Sequence, residues 1–207
     1  MHAHTELTAF SGKHKVAAGS LHALAQTLKA LVTRDPGAQI LIFDDATGNQ
    51  VDLNLHGSLD EVLQRLPQPR QPAASREAAA PAHTVDAPAP PRTAGRPKLG
   101  VVAREITLLP RHWEWLATQP GGASVALRKL VEHAQRDNKV ADGQRQAREA
   151  AYKIMSALAG NEAGFEEASR ALFAGRLDAF LACVEAWPAD VREHVLQLAQ
   201  AGWVVRA

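Results

Sequence analysis

"QILIFDDATGNQVDLNL", Gln39 to Leu55, is the stretch on which the fold turns. Ile40 to Phe43 is continuously apolar, the pattern of a strand covered on both faces. Val51, Leu53 and Leu55 alternate with polar residues, the pattern of a strand with one wet face, and the turn signal "ATGN" between the two runs predicts a hairpin. Upstream, "LTAF" and "KHKVAAG" predict a first hairpin around Ser11-Gly12, and Ser20 can cap a helix in which Leu21, Leu24, Leu28 and Leu31 recur at helical spacing. Downstream, "SLDE", Ser58 to Glu61, has the form of a capping box opening a helix through Val62, Leu63 and Leu66. Residues 1–66 therefore predict a small α+β domain, β-β-α-β-β-α, with helices on one side of the sheet.

The next stretch breaks the pattern. Residues 67–97 hold eight of the twelve prolines and almost no large apolar side chain. A segment that buries so little cannot offset its ordering entropy, so 67–95 is expected to be a disordered Pro/Ala-rich linker, partly polyproline II.

The formal charge of +1 conceals an uneven distribution. Residues 1–66 carry 5 basic and 7 acidic side chains, and residues 137–207 carry 8 and 10. Residues 92–136 carry 8 and 3, a net charge of +5, so one basic module lies between two mildly acidic ones. The 207 residues hold no apolar run long enough for a bilayer and no basic-then-apolar leader, so a cytoplasmic protein with no membrane partner is expected. The lone Cys183 has no partner for a disulfide and reads as a small apolar helix residue.

Motifs for chemistry are sparse. Asp44, Asp45 and Asp52 surround the "TGN" turn, where short carboxylates usually bond local backbone. The nine histidines show no metal-ligand spacing, and neither a Gly-rich phosphate loop nor a nucleophile elbow is present. The expectation is a non-enzymatic protein without catalytic residues, cofactor or metal.

The basic module, 96–138, predicts a short strand within 101–109, then a helix with Pro110 in its first turn. That helix places Trp113, Leu116 and Ala117 on one face. "PGG", Pro120 to Gly122, breaks it, and a second helix follows with Ser124 as N-cap and Val125, Leu127, Leu130, Val131 and Ala134 as an apolar stripe. About 35 residues in this order are too few to fold alone.

Strand, helix, glycine turn and helix resemble the ribbon-helix-helix DNA-binding fold, most closely in "GGASVALRKLVEHA". The resemblance implies a homodimer on double-stranded DNA, with the first-turn N–H groups of Ala123, Ser124 and Val125 on a phosphate. One register of the strand turns Glu105 and Thr107 outward, and the other turns Arg104, Ile106 and Leu108 outward. "GRPK", Gly95 to Lys98, is similar to the AT-hook core, with Ala94 where that core has an arginine; Arg96 and Lys98 would enter a narrow minor groove. The candidate nucleic-acid-binding residues are Arg96, Lys98, Arg104, Thr107, Arg111, Ser124 and Arg128.

From residue 139 onward the pattern is helical. Ala147, Ala151, Ile154, Met155 and Leu158 recur at helical spacing, "AGNEAG" interrupts, Gly175 suits a helix C-terminus, and Pro188 stops a third helix before "ADVREHVLQLAQ". Residues 139–207 thus predict a helical bundle. The combination of "ILIFDDATG", "GRPKLGVVAREITLLPRHWEWLATQPGGASVALRKLVE", "AYKIMSALAGNEAGFEEASRALFAG" and "WPADVREHVLQLA" resembles, across nearly the whole chain, a bacterial family known only as a domain of unknown function. That resemblance implies a bacterial cytoplasmic protein of this layout and no particular activity. The functional expectation is a homodimeric, ribbon-helix-helix-like transcriptional regulator; the alternative is an interaction adaptor whose basic module meets an acidic partner.

Overall fold

The computed structural model describes residues 6–67, 102 and 104–203 of an α+β protein. The expected linker, with Arg96 and Lys98 just beyond it, lies outside the described residues except for Pro67. Two units are separable, residues 1–67 with 134–207, and residues 68–133. Residues 6–67 and 134–203, which the sequence assigns to different domains, therefore form one body.

That body is organised around a three-stranded antiparallel sheet of order β2-β1-β3: β1 Leu7–Ser11, β2 His14–Gly19 and β3 Ile40–Asp44. Gly12 makes the β1–β2 turn with φ +59°, in the left-handed region that glycine enters without strain. The hairpin pairs Leu7 with Gly19 and Ser11 with His14, with a bulge at Ala9/Phe10. The other edge of β1 pairs with β3, Leu7 opposite Asp44 and Ser11 opposite Ile40.

Alternation along the strands sends side chains to two different cores. Leu7, Ala9 and Ile42 pack with Leu24 and Leu28 of α1 (Leu21–Arg34). Phe10 and Phe43 pack on the opposite face with Ile154, Met155, Leu172, Phe180, Val191 and Val195. These last six belong to α4 (Gly122–Ala159), α5 (Phe165–Phe173), α6 (Leu177–Val184) and α7 (Ala189–Gln200). The expectation of helices on one side is therefore corrected: the sheet has helices on both, as the unbroken apolar run Ile40–Phe43 itself requires. Phe10 and Phe43 meet edge to face, ring centroids 6.4 Å apart.

Two expected strands do not form. The segment after the 44–49 turn starts the expected hairpin, with the Phe43–Gln50 bridge and the Val51 N–H donating to the Ile42 carbonyl at 2.8 Å, and then leaves the sheet. Val51, Leu53 and Leu55 bury alternate side chains against the α1 side, but beyond Val51 the backbone is held otherwise: Lys29 Nζ donates to the Leu55 carbonyl at 3.1 Å. Alternation reports an extended chain with one covered face, not a neighbouring strand. The order is β-β-α-β-α, the last helix being α2 (Leu59–Arg65). Residues 104–109 are likewise without strand structure, which removes the described part of the expected ribbon.

Local signals at helix ends read correctly. The Ser20 side chain accepts from the Ala23 N–H, and Ser58 with Glu61 closes the reciprocal capping box that opens α2. Pro110 occupies the first turn of α3 (Pro110–Ala117), and Gly175 follows α5 with φ +68°. The helix expected to end near residue 138 instead runs on: α4 is 38 residues long. Asn138 and Gly143 are weak helix formers, but no proline interrupts the run, and a helix continues through such residues at modest cost. Among the described residues no helix is long and apolar enough to cross a membrane.

Candidate docking face on the α3–α4 hairpin

Leu109 precedes Pro110, whose fixed φ starts α3. Thr118 ends it, its hydroxyl donating to the Trp115 carbonyl at 2.7 Å. Gly121 and Gly122 then take φ of +87° and +74°, which reverses the chain into α4. A Cβ at Gly121 would approach the Val125 side chain to 3.2 Å, so the turn is tight as well as left-handed. α4 begins at Gly122, so Ser124 sits in the first turn and is not the cap that its sequence context suggests.

The hairpin is held by little buried surface. Leu116, 2% exposed, and Ala126 are the buried apolar residues of residues 104–133. Around Leu116 lies a groove of about 280 Å³ lined by Leu108, His112, Trp115, Leu116, Leu127 and Leu130. In sequence, Leu116 and Leu127 lie near the turn, while Leu108, His112 and Leu130 lie farther from it. The expected face of α3, Trp113 with Leu116 and Ala117, is displaced: the groove uses His112, Trp115 and Leu116, the neighbouring row one residue earlier. Trp115 is 51% exposed, Leu130 46% and Val131 54%, so the stripe predicted on α4 forms but is left largely uncovered.

The expected nucleic-acid residues distribute as follows. Arg96 and Lys98 lie outside the described residues. Arg104 and Thr107 are exposed on the irregular segment before α3, and Arg111 is exposed in its first turn. Arg128 is exposed and donates from Nε to the Ser124 carbonyl at 3.1 Å, which ties these two residues together. Ala123, Ser124 and Val125 fall in the first turn of α4 as expected. Without a strand at 104–109 the two outward registers lose their meaning, and the ribbon-helix-helix resemblance is not supported. What sequence reasoning missed is the groove: His112, Trp115 and Leu116 share the 3- and 4-residue spacing that marks one helical side, and that spacing was available.

The aspartate cluster resolves into two roles. Asp44 Oδ1 accepts from the N–H groups of Ala46 and Thr47, the local turn chemistry expected of it. Asp45 instead turns into the core, accepting from Thr8 Oγ1 at 2.9 Å and lying 3.2 Å from Nε2 of buried His194. His194 was also missed, although its place between Val191 and Leu198 marks it for the inner face of α7. Thr8 is fully buried and Asp45 largely so, and this set ties sheet to helix rather than facing a cleft.

No curated protein and no solved structure matches the chain. Residues 6–199 match a family model, and on that match the chain belongs to the bacterial family DUF2239, described as an uncharacterized protein conserved in bacteria.

Proposed function

We propose that the protein is a non-enzymatic interaction adaptor whose α3–α4 hairpin is the docking face for a protein partner. One observation carries this reading: a two-helix element leaves the apolar stripe of both helices half open, with Trp115 and Leu130 flanking a groove about Leu116. Scattered apolar residues on a surface need no explanation, but a contiguous set lining a groove between helices marks a contact surface. Trp is among the side chains that most often dominate binding at such a groove. The exposed basic side chains Arg104, Arg111, Arg128 and Lys129 are close in sequence to its lining residues and supply polar surface on the same element.

The test is site-specific photo-crosslinking in the bacterial cell. A photoreactive residue at position 130 is expected to capture a polypeptide, while one at exposed Gln197 of α7 captures none. Equal and negligible crosslinking at both positions would overturn the reading.

Nucleic-acid binding is the second reading, favoured by the exposure of Arg104, Thr107, Arg111 and Arg128 on one short segment. In this form the arginines meet phosphates, and base readout by a ribbon is not invoked. Fluorescence anisotropy on a labelled duplex across a salt series tests it. Micromolar binding that weakens steeply with salt is expected, and Arg96→Ala with Lys98→Ala should reduce the slope by about two units. Absence of binding at low salt removes this reading and leaves the first untouched.

A further inference from the structure

We propose that α4 is a hinged helix: it opens locally between Ala134 and Gly143, melting and re-forming there while the residues at its packed C-terminal end stay folded. The inference concerns α4 itself and does not depend on what the hairpin binds.

Packing leaves this segment unsupported. Residues 128–141 are exposed without interruption, and no residue of α4 between Ala126 and Ala150 is buried. A solvated helical stretch of that length is marginal in water, because most helical stability comes from a packed apolar face. The end of α4 has such a face, with Ala150, Ile154, Met155 and Leu158 buried in the shared core. The boundary between the two separable units, residues 133 and 134, falls within the exposed stretch.

The sequence weakens the helix where packing is absent. Asn138 turns its side chain back on its own helix, Nδ2 donating to the Ala134 carbonyl at 2.9 Å. That oxygen is the one the Asn138 main-chain N–H uses in an α-helix, so the side chain competes with the ladder. Five residues on, a Cβ at Gly143 would meet nothing within 4 Å, and its φ lies outside the left-handed region. Neither crowding nor backbone conformation calls for glycine there, yet in a helix interior only proline costs more. A residue that breaks a local rule with no packing gain marks a place where the chain needs freedom. Arg145 opposes opening, pairing with Asp142 at 2.8 Å and reaching Glu149 at 4.0 Å. Those pairs are exposed, and each contributes less than a mid-helix glycine removes. The balance favours local opening, the kind of motion that proceeds without global unfolding.

Amide hydrogen exchange of the full-length protein, read by mass spectrometry, tests this. Residues 135–146 are expected to exchange at least about a hundredfold faster than residues 150–159 of the same helix. Asn138→Ala combined with Gly143→Ala should slow exchange at 135–146 by about tenfold and leave 150–159 unchanged. Both sites are exposed and alanine is the better helix former, so the variant keeps the fold and its helix signal in circular dichroism should not fall. Protection at 135–146 equal to that at 150–159 would overturn the hinge, as would fast exchange there that the double variant does not slow.

Discussion

His194 and Asp45 face each other across the junction of sheet and helices, imidazole Nε2 3.2 Å from carboxylate Oδ1. The histidine side chain is 1% exposed, and neither of its nitrogens has an aligned hydrogen-bond partner among the described residues. It also lies against Phe10, ring centroids 5.4 Å apart. Asp45 is anchored from its other oxygen by Thr8, so β1, the end of β3 and α7 converge on one carboxylate.

Removing Asp45 should therefore cost more than its own contacts. In Asp45→Ala the buried imidazole keeps no polar neighbour, a loss of about 1–3 kcal/mol. A double-mutant cycle with His194→Ala, followed by urea denaturation, should return a coupling of about 0.5–3 kcal/mol. Additive losses within error would show that the two side chains do not interact.

Gly48 gives a second, purely steric prediction. Its φ is +67°, and a Cβ there would lie 2.4 Å from the backbone carbonyl oxygen of Ala150 on α4. The same loop is tied to α4 by Lys153, whose Nζ donates to the Thr47 carbonyl at 3.1 Å and to Asn49 Oδ1 at 2.8 Å. Gly48→Ala must therefore strain the backbone and push the loop from the helix. A loss of more than about 1 kcal/mol is expected, measured as a lowered Tm. An unchanged Tm would mean that the loop and α4 are not in contact.

At Ser58 the prediction concerns pH. The backbone N–H of Ser58 and then its hydroxyl bond the Glu61 carboxylate, holding it below its ordinary 4.5. A depressed carboxylate stabilises the fold fully above its ordinary value, and the contribution disappears as pH falls through the lower folded value. Ser58→Ala keeps the main-chain N–H bond and loses the hydroxyl, so it should move Glu61 part of the way upward, seen by NMR titration of the Glu61 side chain, and should lessen the acid sensitivity accordingly. A titration unmoved by Ser58→Ala would deny the hydroxyl's contact with the carboxylate.

The parts legible in the sequence share a physical character: the cause lies within a few residues of the effect. Ser20, Ser58, Gly12, Pro110 and Gly175 act on the backbone beside them, so their reading holds. Strand pairing depends on what lies opposite. The hairpin partner of β3 ends at Val51 while Leu53 and Leu55 keep the period without a strand beside them, and residues 104–109 have no paired neighbour among the described residues. The Asp45–His194 contact joins positions far apart in sequence, and spacing carries no sign of it. The groove on the hairpin falls between these cases. Its leucines were visible as a stripe, but α3 has only eight residues, and a helix that short leaves two adjacent apolar rows undecided.

The deepest consequence of the fold is that its first 67 residues should not stand alone. Phe10 and Phe43 are 0% and 1% exposed, and both are covered by helices formed from residues 150–199. Lys13 pairs with Glu162, the Lys15 N–H donates to Asp190 Oδ2 at 2.9 Å, and His14 lies 3.6 Å from the same carboxylate oxygen. These surface pairs add little, so it is the shared apolar core that binds the two stretches. Cut after Pro67, the sheet keeps α1 and α2 on one face and exposes Phe10, Leu41 and Phe43 on the other. A domain of about 60 residues is marginal even with a complete core, and this sheet would have one bare aromatic face. The fragment 1–67 is expected to give a poorly dispersed NMR spectrum, and adding residues 134–207 in trans should restore dispersion. In the full chain, Phe10→Ala should cost about 3–5 kcal/mol and lower the melting of strand and helix signals together. A fragment 1–67 that folds unaided, or strand and helix signals that melt separately, would break the shared core into two.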